Sequence, residues 1–188
     1  MQAKLIILSA PSGAGKTSIV KYLLKKTDKL KFSVSATNRE PRAGETDGVD
    51  YHFLSTKEFK QKIDENAFVE WEEVYDGRFY GTLKSAVNDE LKEGNHVIFD
   101  VDVIGGLNIK KEYGDQALAV FIKPPSPATL AERLRKRQSE SERDIAKRLE
   151  KAEYELSFSD KFDLIIVNDD LERARKKCLE EVQEFLNQ

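Results

Sequence analysis

The apolar run Leu5-Ile6-Ile7-Leu8, followed by Ser9-Ala10-Pro11-Ser12-Gly13-Ala14-Gly15-Lys16-Thr17-Ser18, constrains this chain more than any other segment. A short apolar run bounded by turn residues reads as a buried strand, and Lys16–Lys26 reads as a helix. Between them lies G-x-x-x-x-G-K-[ST], with Ala10 in place of the first glycine. Gly13 and Gly15 let successive N–H groups turn inward as an anion nest, and the helix aims its positive end at the same point. A Gly-rich turn without a ligand is the plain alternative; the strand before and the helix after favour a phosphate loop spanning Ala10 to Ser18. Lys16 then reaches β- and γ-phosphate oxygens, and the Thr17 hydroxyl suits Mg²⁺. If position 10 required positive φ, Ala10 would cost on the order of 1 kcal/mol.

Four further apolar runs read as buried strands: Phe32–Ala36, His96–Val101, Ala117–Ile122 and Asp163–Val167. Their continuous rather than alternating hydrophobicity suits a parallel sheet covered on both faces. Helices are expected over Thr82–Glu93, Val103–Tyr113 and Pro127–Gln138. A last one has Leu171, Ala174, Cys178, Val182 and Phe185 on one apolar stripe, started by Asn168 or Asp169 as cap. Strands alternating with helices give a three-layer α/β fold. Two stretches interrupt it, a turn- and aromatic-rich one over 38–80 and a basic helical one over 132–148. Both are expected to project from the C-terminal edge of the sheet, where ligands bind in open α/β folds.

The third strand, Val97-Ile98-Phe99, ends in Asp100, a carboxylate placed to hold Mg²⁺ directly or through water. Among 188 residues, 31 are Lys or Arg and 34 are Asp or Glu, for a formal net charge of −3, which gives no reason to expect nucleic-acid binding. One cysteine, Cys178, excludes an internal disulfide framework and reads as a buried core thiol. No apolar run is long enough for a signal peptide or membrane span, so a cytoplasmic protein without membrane partners is expected.

In Thr37-Asn38-Arg39-Glu40-Pro41-Arg42, Pro41 keeps Glu40 extended and puts both arginines on a loop. With Tyr51 nearby they form a fork for a second phosphate group, although scattered surface arginines are the commoner meaning of such a pair. Arg133, Arg135, Lys136, Arg137, Arg143, Lys147 and Arg148 ordinarily make a solvated helix face with ion pairs to Glu140, Glu142 and Asp144.

With these residues in place, the chain resembles the guanylate kinase family. The resemblance is carried by Ala10–Thr17, Ser33-Val34-Ser35-Ala36-Thr37, Arg39-x-x-Arg42, Gly44-Glu45, Gly48 and Asp50-Tyr51-x-Phe53. It continues through Phe68-Val69-Glu70-Trp71, Tyr80-Gly81-Thr82, Asp100-Val101-Asp102-Val103, Arg133-Leu134-x-x-Arg137, Lys147-Arg148-Leu149 and Val167-Asn168-Asp169-Asp170. It implies a single phosphate-loop NTPase domain over 1–188. The core would be 1–33, 83–125 and 155–188, with a GMP-binding α+β insertion over about 34–82 and a helical lid over about 126–154. It implies Asn168 on the ATP side. Arg39, Arg42, Tyr51 and Tyr80 would hold the GMP phosphate, and Asp102 would support the guanine or metal side. Arg133, Arg137 and Arg148 would close over the transferring phosphoryl group. Ala10, Asn38, Ile104 and Gln138 depart from the family pattern without removing a charge the chemistry needs.

Guanine chemistry agrees with that implication. Glu70 accepts from N1–H and N2–H, while Ser35 and Thr82 donate to O6. Adenine would turn a lone pair toward Glu70, an unpaired buried contact that costs about 1–3 kcal/mol. The expected reaction is ATP + GMP ⇌ ADP + GDP with Mg²⁺, serving GMP recycling in purine metabolism. Lys16, Asp100 and the three lid arginines carry it, Thr17 and Asp100 serve the metal, and His52 and His96 are structural. A monomer or weak homodimer is expected. The rivals are a kinase of another phosphorylated acceptor and a non-catalytic interaction module of the same family.

Overall fold

The computed structural model describes residues 2–75, 77–136 and 142–188. The chain runs β1 (Leu5–Ser9), α1 (Lys16–Lys26), β2 (Leu30–Phe32), β3 (Ala36–Thr37), β4 (His52–Phe53), α2 (Thr56–Asp64), β5 (Phe68–Tyr75) and β6 (Arg78–Leu83). It continues through α3 (Lys84–Lys92), β7 (His96–Asp100), α4 (Val103–Tyr113), β8 (Ala117–Lys123), α5 (Pro127–Lys136), α6 (Glu142–Leu156), β9 (Leu164–Val167) and α7 (Leu171–Asn187).

Five strands form a parallel sheet in the order β2-β7-β1-β8-β9, so β1 lies at its centre. Alternate residues of β1 point to opposite faces. Ile6 and Leu8 join the core that includes Ile19, Leu23 and Cys178, under α1 and α7. Leu5 and Ile7 join the core that includes Phe99, Ile109 and Phe121 on the face covered by α4. Both faces of the inner strands β1, β7 and β8 are covered, which is why these read as continuous hydrophobic runs, while edge strand β9 leaves Ile165 and Val167 exposed. The three-layer α/β class expected from sequence is therefore present. Among the described residues no helix is long and apolar enough to cross a membrane.

Two expected elements differ. The run Phe32–Ala36 is not one strand: β2 ends at Phe32, and Ala36 opens β3 in a different sheet. Ser33–Ser35 carries the chain between them, with Ser33 N–H still bonded to Ile98 O at 2.9 Å. The helix expected from Thr82 starts at Lys84, because Thr82 and Leu83 pair with Glu70 and Phe68 in β6.

The second sheet has the order β4-β3-β6-β5 and packs on α2. The α2 N-terminus is set by a reciprocal capping box between Ser55 and Glu58. Phe59 is fully buried, stacked on Phe68 with ring centroids 4.4 Å apart and on Phe79 at 5.5 Å. Asn38 explains itself here: its amide donates to Gly77 O at 2.7 Å and Thr56 Oγ1 at 2.9 Å, and its carbonyl accepts from Phe79 N–H at 2.7 Å. One side chain thereby ties β3 to the β5–β6 turn and to α2.

Helices α5 and α6 share a small core of their own, Leu130, Leu134, Ile145 and Ala152. Leu130 and Leu134 also press on the phosphate loop, where a Cβ on Gly13 would come within 3.1 Å of each.

The C-terminal helix corrects another expectation. Asp170, not Asn168 or Asp169, is the N-cap of α7, and its Oδ1 accepts from Arg173 N–H at 2.8 Å. Asn168 is engaged elsewhere, and Phe185 is only partly buried while Leu186 completes the stripe. Cys178 is buried as expected, and desolvation pushes its thiol up to about 12. Asp170→Ala should therefore lower global stability by about 1 kcal/mol, read as a fall in the urea midpoint at unchanged slope.

Candidate active site

β1 delivers the chain into the loop Ala10–Gly15, and Gly15 enters α1 from a left-handed conformation at φ 95°. Gly13 is likewise at φ 91°, so both glycines hold backbone angles that side chains avoid. Ala10 does not: among the described residues only Lys29 and Asn66 are non-glycine residues at positive φ. The strain foreseen for Ala10 is absent.

A cavity of about 350 Å³ opens over the loop, lined by Ala10, Pro11, Ser12, Gly13, Gly15, Lys16, Thr17 and Ser18. Asp100, Val101, Asp102 and Glu155 complete its wall. Ala14 is buried behind it, and its carbonyl accepts the Asn168 amide at 2.6 Å, so Asn168 braces the loop from behind. The carbonyl oxygen of the Asn168 side chain is buried without a hydrogen-bond partner among the described residues. Lys16 Nζ lies 2.7 Å from Asp100 Oδ1 and 2.7 Å from Val101 O. The hard oxygens of Thr17 and Asp100 share this wall, a donor set that fits Mg²⁺.

The arginines come from the α5–α6 side. Arg133 donates to the Asn168 backbone carbonyl at 2.9 Å, and Arg148 donates to Ser12 Oγ at 3.2 Å. Arg137 and Gln138 lie outside the described residues.

Beyond Asp102 is a second, acidic cluster. Thr82 Oγ1 donates to Glu70 Oε1 at 2.7 Å, so the threonine orients the carboxylate. Asp102 caps α4, its Oδ1 accepting from Gly105 N–H at 2.7 Å. Gly105 admits this crowding, since a Cβ there would stand 3.2 Å from Glu70 Oε2 and 3.3 Å from Asp102 Oδ1. Burial raises the Glu70 carboxyl to about 7; the Thr82 hydrogen bond opposes this, and the charges of Asp102 and Glu72 add to it. Glu72 is raised as well, by burial and by Asp102. Ile104 is exposed in the first turn of α4.

A third group forms on the β3–β4 side. Arg39 makes a two-pronged contact with Glu45, NH1 to Oε2 and NH2 to Oε1, each at 2.7 Å. Its guanidinium lies 4.8 Å from the Tyr51 ring centroid, and Tyr80 packs edge-on to Tyr51 at 6.0 Å. Hydrogen bonding to Arg39, and then to the Arg42 backbone N–H, lowers Glu45 to about 2, while the same pairing raises Arg39. Arg42 is exposed, its backbone N–H 2.8 Å from Glu45 Oε2. Ser35 is half-buried, its carbonyl accepting from His52 N–H at 2.9 Å. His96 accepts from Lys4 N–H through Nδ1 at 3.0 Å and is held below its usual range by burial and by Lys4 and Lys29, a structural setting.

Three residues acquire roles that sequence reasoning did not give them. Glu45 sat inside the Gly44-Glu45 match without a function. Ser9, fully buried, donates to the backbone carbonyls of Val101 and Asp102 and fixes the strand end beside the loop. Glu155 falls on the apolar spacing Ile145, Leu149, Ala152, Glu155, a charged residue on a buried stripe, which is the signal that could have found it.

Comparison with known proteins follows this geometry. A family model described as guanylate kinase matches residues 2–188. A guanylate kinase of Bacteroides fragilis is 54% identical over 185 residues, covering 98% of this chain and 91% of that protein. One of Chlorobaculum tepidum is 52% identical over 187 residues, covering 100% and 95%. The crystal structure of guanylate kinase from Anaplasma phagocytophilum superposes with a TM-score of 0.73 at 28% identity, over 97% of this chain and 85% of that one. A shikimate kinase structure from Bacteroides thetaiotaomicron, at 18% identity and TM-score 0.53, shares the fold alone.

Because the Glu70 carboxyl sits at about 7 against an ordinary value of 4.5, the folded state holds its proton more tightly than the unfolded chain. Ionisation therefore costs nothing below the unfolded value, costs progressively more up to about 7, and a constant amount above it. Glu70→Gln should stabilise the fold at pH 8 by roughly 1–3 kcal/mol and by little near pH 4, measured as the difference in urea midpoints at the two pH values.

Proposed function

The chain belongs to the guanylate kinase family and is a nucleoside monophosphate kinase, and on that premise we propose how its residues pass the γ-phosphoryl group of ATP to GMP. The observation that carries this reading is the position of Asp102, which lines the phosphate-loop cavity on one side and adjoins the Glu70–Thr82 pair on the other. A triphosphate site and a purine-edge reader thus share one wall. A kinase of another phosphorylated acceptor has no use for that reader, and a non-catalytic module has no use for Lys16, Thr17, Arg133 and Arg148.

Residues 34–82 are read as the GMP-binding insertion and 126–154 as the lid. The N–H groups of the loop and Lys16 take the ATP phosphates, Lys16 swinging from Asp100 to β- and γ-phosphate oxygens. Thr17 and Asp100 would hold Mg²⁺, which when bound neutralises charge between those oxygens. Asn168 supports the loop on the ATP side. Arg39, Arg42, Tyr51 and Tyr80 bind the GMP phosphate, with Glu45 keeping the Arg39 fork aimed and rigid. Glu70, oriented by Thr82, accepts from guanine N1–H and N2–H, and Ser35 donates to O6.

An α-phosphate oxygen of GMP is already anionic near neutral pH, so no general base is needed. Alignment and charge neutralisation by Lys16, Arg133, Arg137 and Arg148 supply the catalysis. Closure of the lid excludes water, which would otherwise divert ATP to hydrolysis. The reading places the protein among Mg²⁺-dependent enzymes of purine nucleotide metabolism that act in the cytoplasm, without nucleic-acid or membrane partners, as a monomer or weak homodimer.

The test is ADP release with ATP and Mg²⁺ across GMP, AMP, CMP, UMP and no acceptor. GMP-selective turnover with negligible background is expected; equal use of another nucleotide would discard the roles of Ser35, Glu70 and Thr82. Lys16→Ala should lower kcat by at least about a hundredfold while circular dichroism stays native. Guanine binding requires ionised Glu70, so the GMP KM should rise as pH falls below about 7. In Glu70→Gln, KM should be high throughout and lack that dependence.

A further inference from the structure

The first turn of α4 carries two consecutive buried glycines, Gly105 and Gly106, although glycine is a poor helix former. Neither is at positive φ, so a side chain at either position would strain no backbone angle. What each glycine leaves room for differs. A Cβ on Gly106 would stand 2.8 Å from Ser9 Oγ and 3.2 Å from Ile7 Cγ2, so Gly106 lets α4 pack closely on β1. A Cβ on Gly105 would stand 3.2 Å from Glu70 Oε2, 3.5 Å from Glu70 Cδ and 3.3 Å from Asp102 Oδ1. Its three nearest neighbours would all be carboxylate atoms.

Glu70 reaches this place from β5. The β5–β6 ladder shifts register between Phe68 and Glu70, an irregularity of the kind that re-aims a side chain. Thr82 holds Oε1 at 2.7 Å, and Gly105 bounds Oε2. Asp102 is tied against retreat from added bulk, since its Oδ1 accepts from Gly105 N–H at 2.7 Å as the cap of α4. Glu70 has somewhere to go: a cavity of about 170 Å³, with Glu70, Trp71 and Asn108 among its lining, opens beside it.

With Glu70 read as the acceptor for guanine N1–H and N2–H, on which this depends, we propose that Gly105 is a specificity-determining residue of the GMP site. Its missing Cβ is the space in which Oε2 stands, and α4 forgoes helix stability at this position so that the carboxylate meets the purine edge with both oxygens. Gly105 is a positioning residue: it acts through Glu70 and touches no substrate atom. A methyl group here turns Glu70 toward the neighbouring cavity and leaves the fold and the phosphate loop as they were.

The experiment is steady-state kinetics and urea unfolding of Gly105→Ala beside wild type, with GMP varied at saturating ATP and Mg²⁺ and ATP then varied at saturating GMP. The GMP KM should rise about five- to fiftyfold, while kcat and the ATP KM change by less than about twofold. The urea midpoint should equal or exceed that of wild type, because alanine is the better helix former. In a Glu70→Asp background, whose shorter acid keeps clear of position 105, the same methyl should weaken calorimetric GMP binding no further. A GMP KM within about twofold of wild type overturns the proposal, and so does a matching rise in the ATP KM. A midpoint below wild type also overturns it, since Gly105 would then serve packing as Gly106 does, and so do additive losses in the double variant. A Glu70→Gln chain with an unchanged GMP KM refutes the guanine reading of Glu70 instead.

Discussion

The pairing of Leu8 with Asp100 across the β1–β7 ladder is the contact on which the rest of the site depends. Parallel strands in register end at the same edge, so this one alignment sets the mouth of the phosphate loop beside the acidic end of β7. It brings Lys16 to 2.7 Å from Asp100 and lets Ser9 bond the two carbonyls that follow. A slip of one residue would exchange the two faces of β1, moving Ile6 and Leu8 out of one core and Leu5 and Ile7 out of the other. Two fully packed faces forbid that slip, and the geometry of the site inherits its precision from them.

The part of the chain from β3 to β6 is built on a different principle. It rests on a small four-stranded sheet whose order is held by side chains as much as by ladder bonds, with Asn38 closing three hydrogen bonds and three phenylalanine rings filling the space under α2. The two arrangements meet at Asp102, whose carboxylate caps α4 and whose neighbours are Glu70 and Glu72. Concentrating three acids there raises the energy of the ionised state.

Much of this was legible in the residue order. Lys16–Lys26 and Val103–Tyr113 are helices over the stated ranges, because a phosphate-loop start and an Asp cap mark their beginnings. The inner strands β1, β7 and β8 were recognisable because burial on both faces leaves no alternation to confuse them. Phe32–Ala36 misled because an apolar run records burial but not which sheet provides it. Thr82 misled because strand and helix meet there without a turn residue. The pairing of Glu45 with Arg39 and the burial of Glu155 were hidden for a common reason. Charge-rich composition makes any one acid look solvated, and only tertiary placement separates a working carboxylate from a surface one. The α7 cap shows the same limit, since Asn168, Asp169 and Asp170 are all competent caps and long-range bonding to Ala14 removes the first from the choice.

The bond from Asn168 to the Ala14 carbonyl joins residues 154 positions apart. During synthesis β1, the loop and α1 are made before Asn168, so the amide that holds the loop in shape is available only after β9. β9 in turn needs β8, and β8 needs β1, to complete its side of the sheet. The turn between β1 and α1 is thus secured only by a residue made long after it. A nascent chain can therefore pair β1 with β7 while the turn that follows β1 still lacks the amide that braces it.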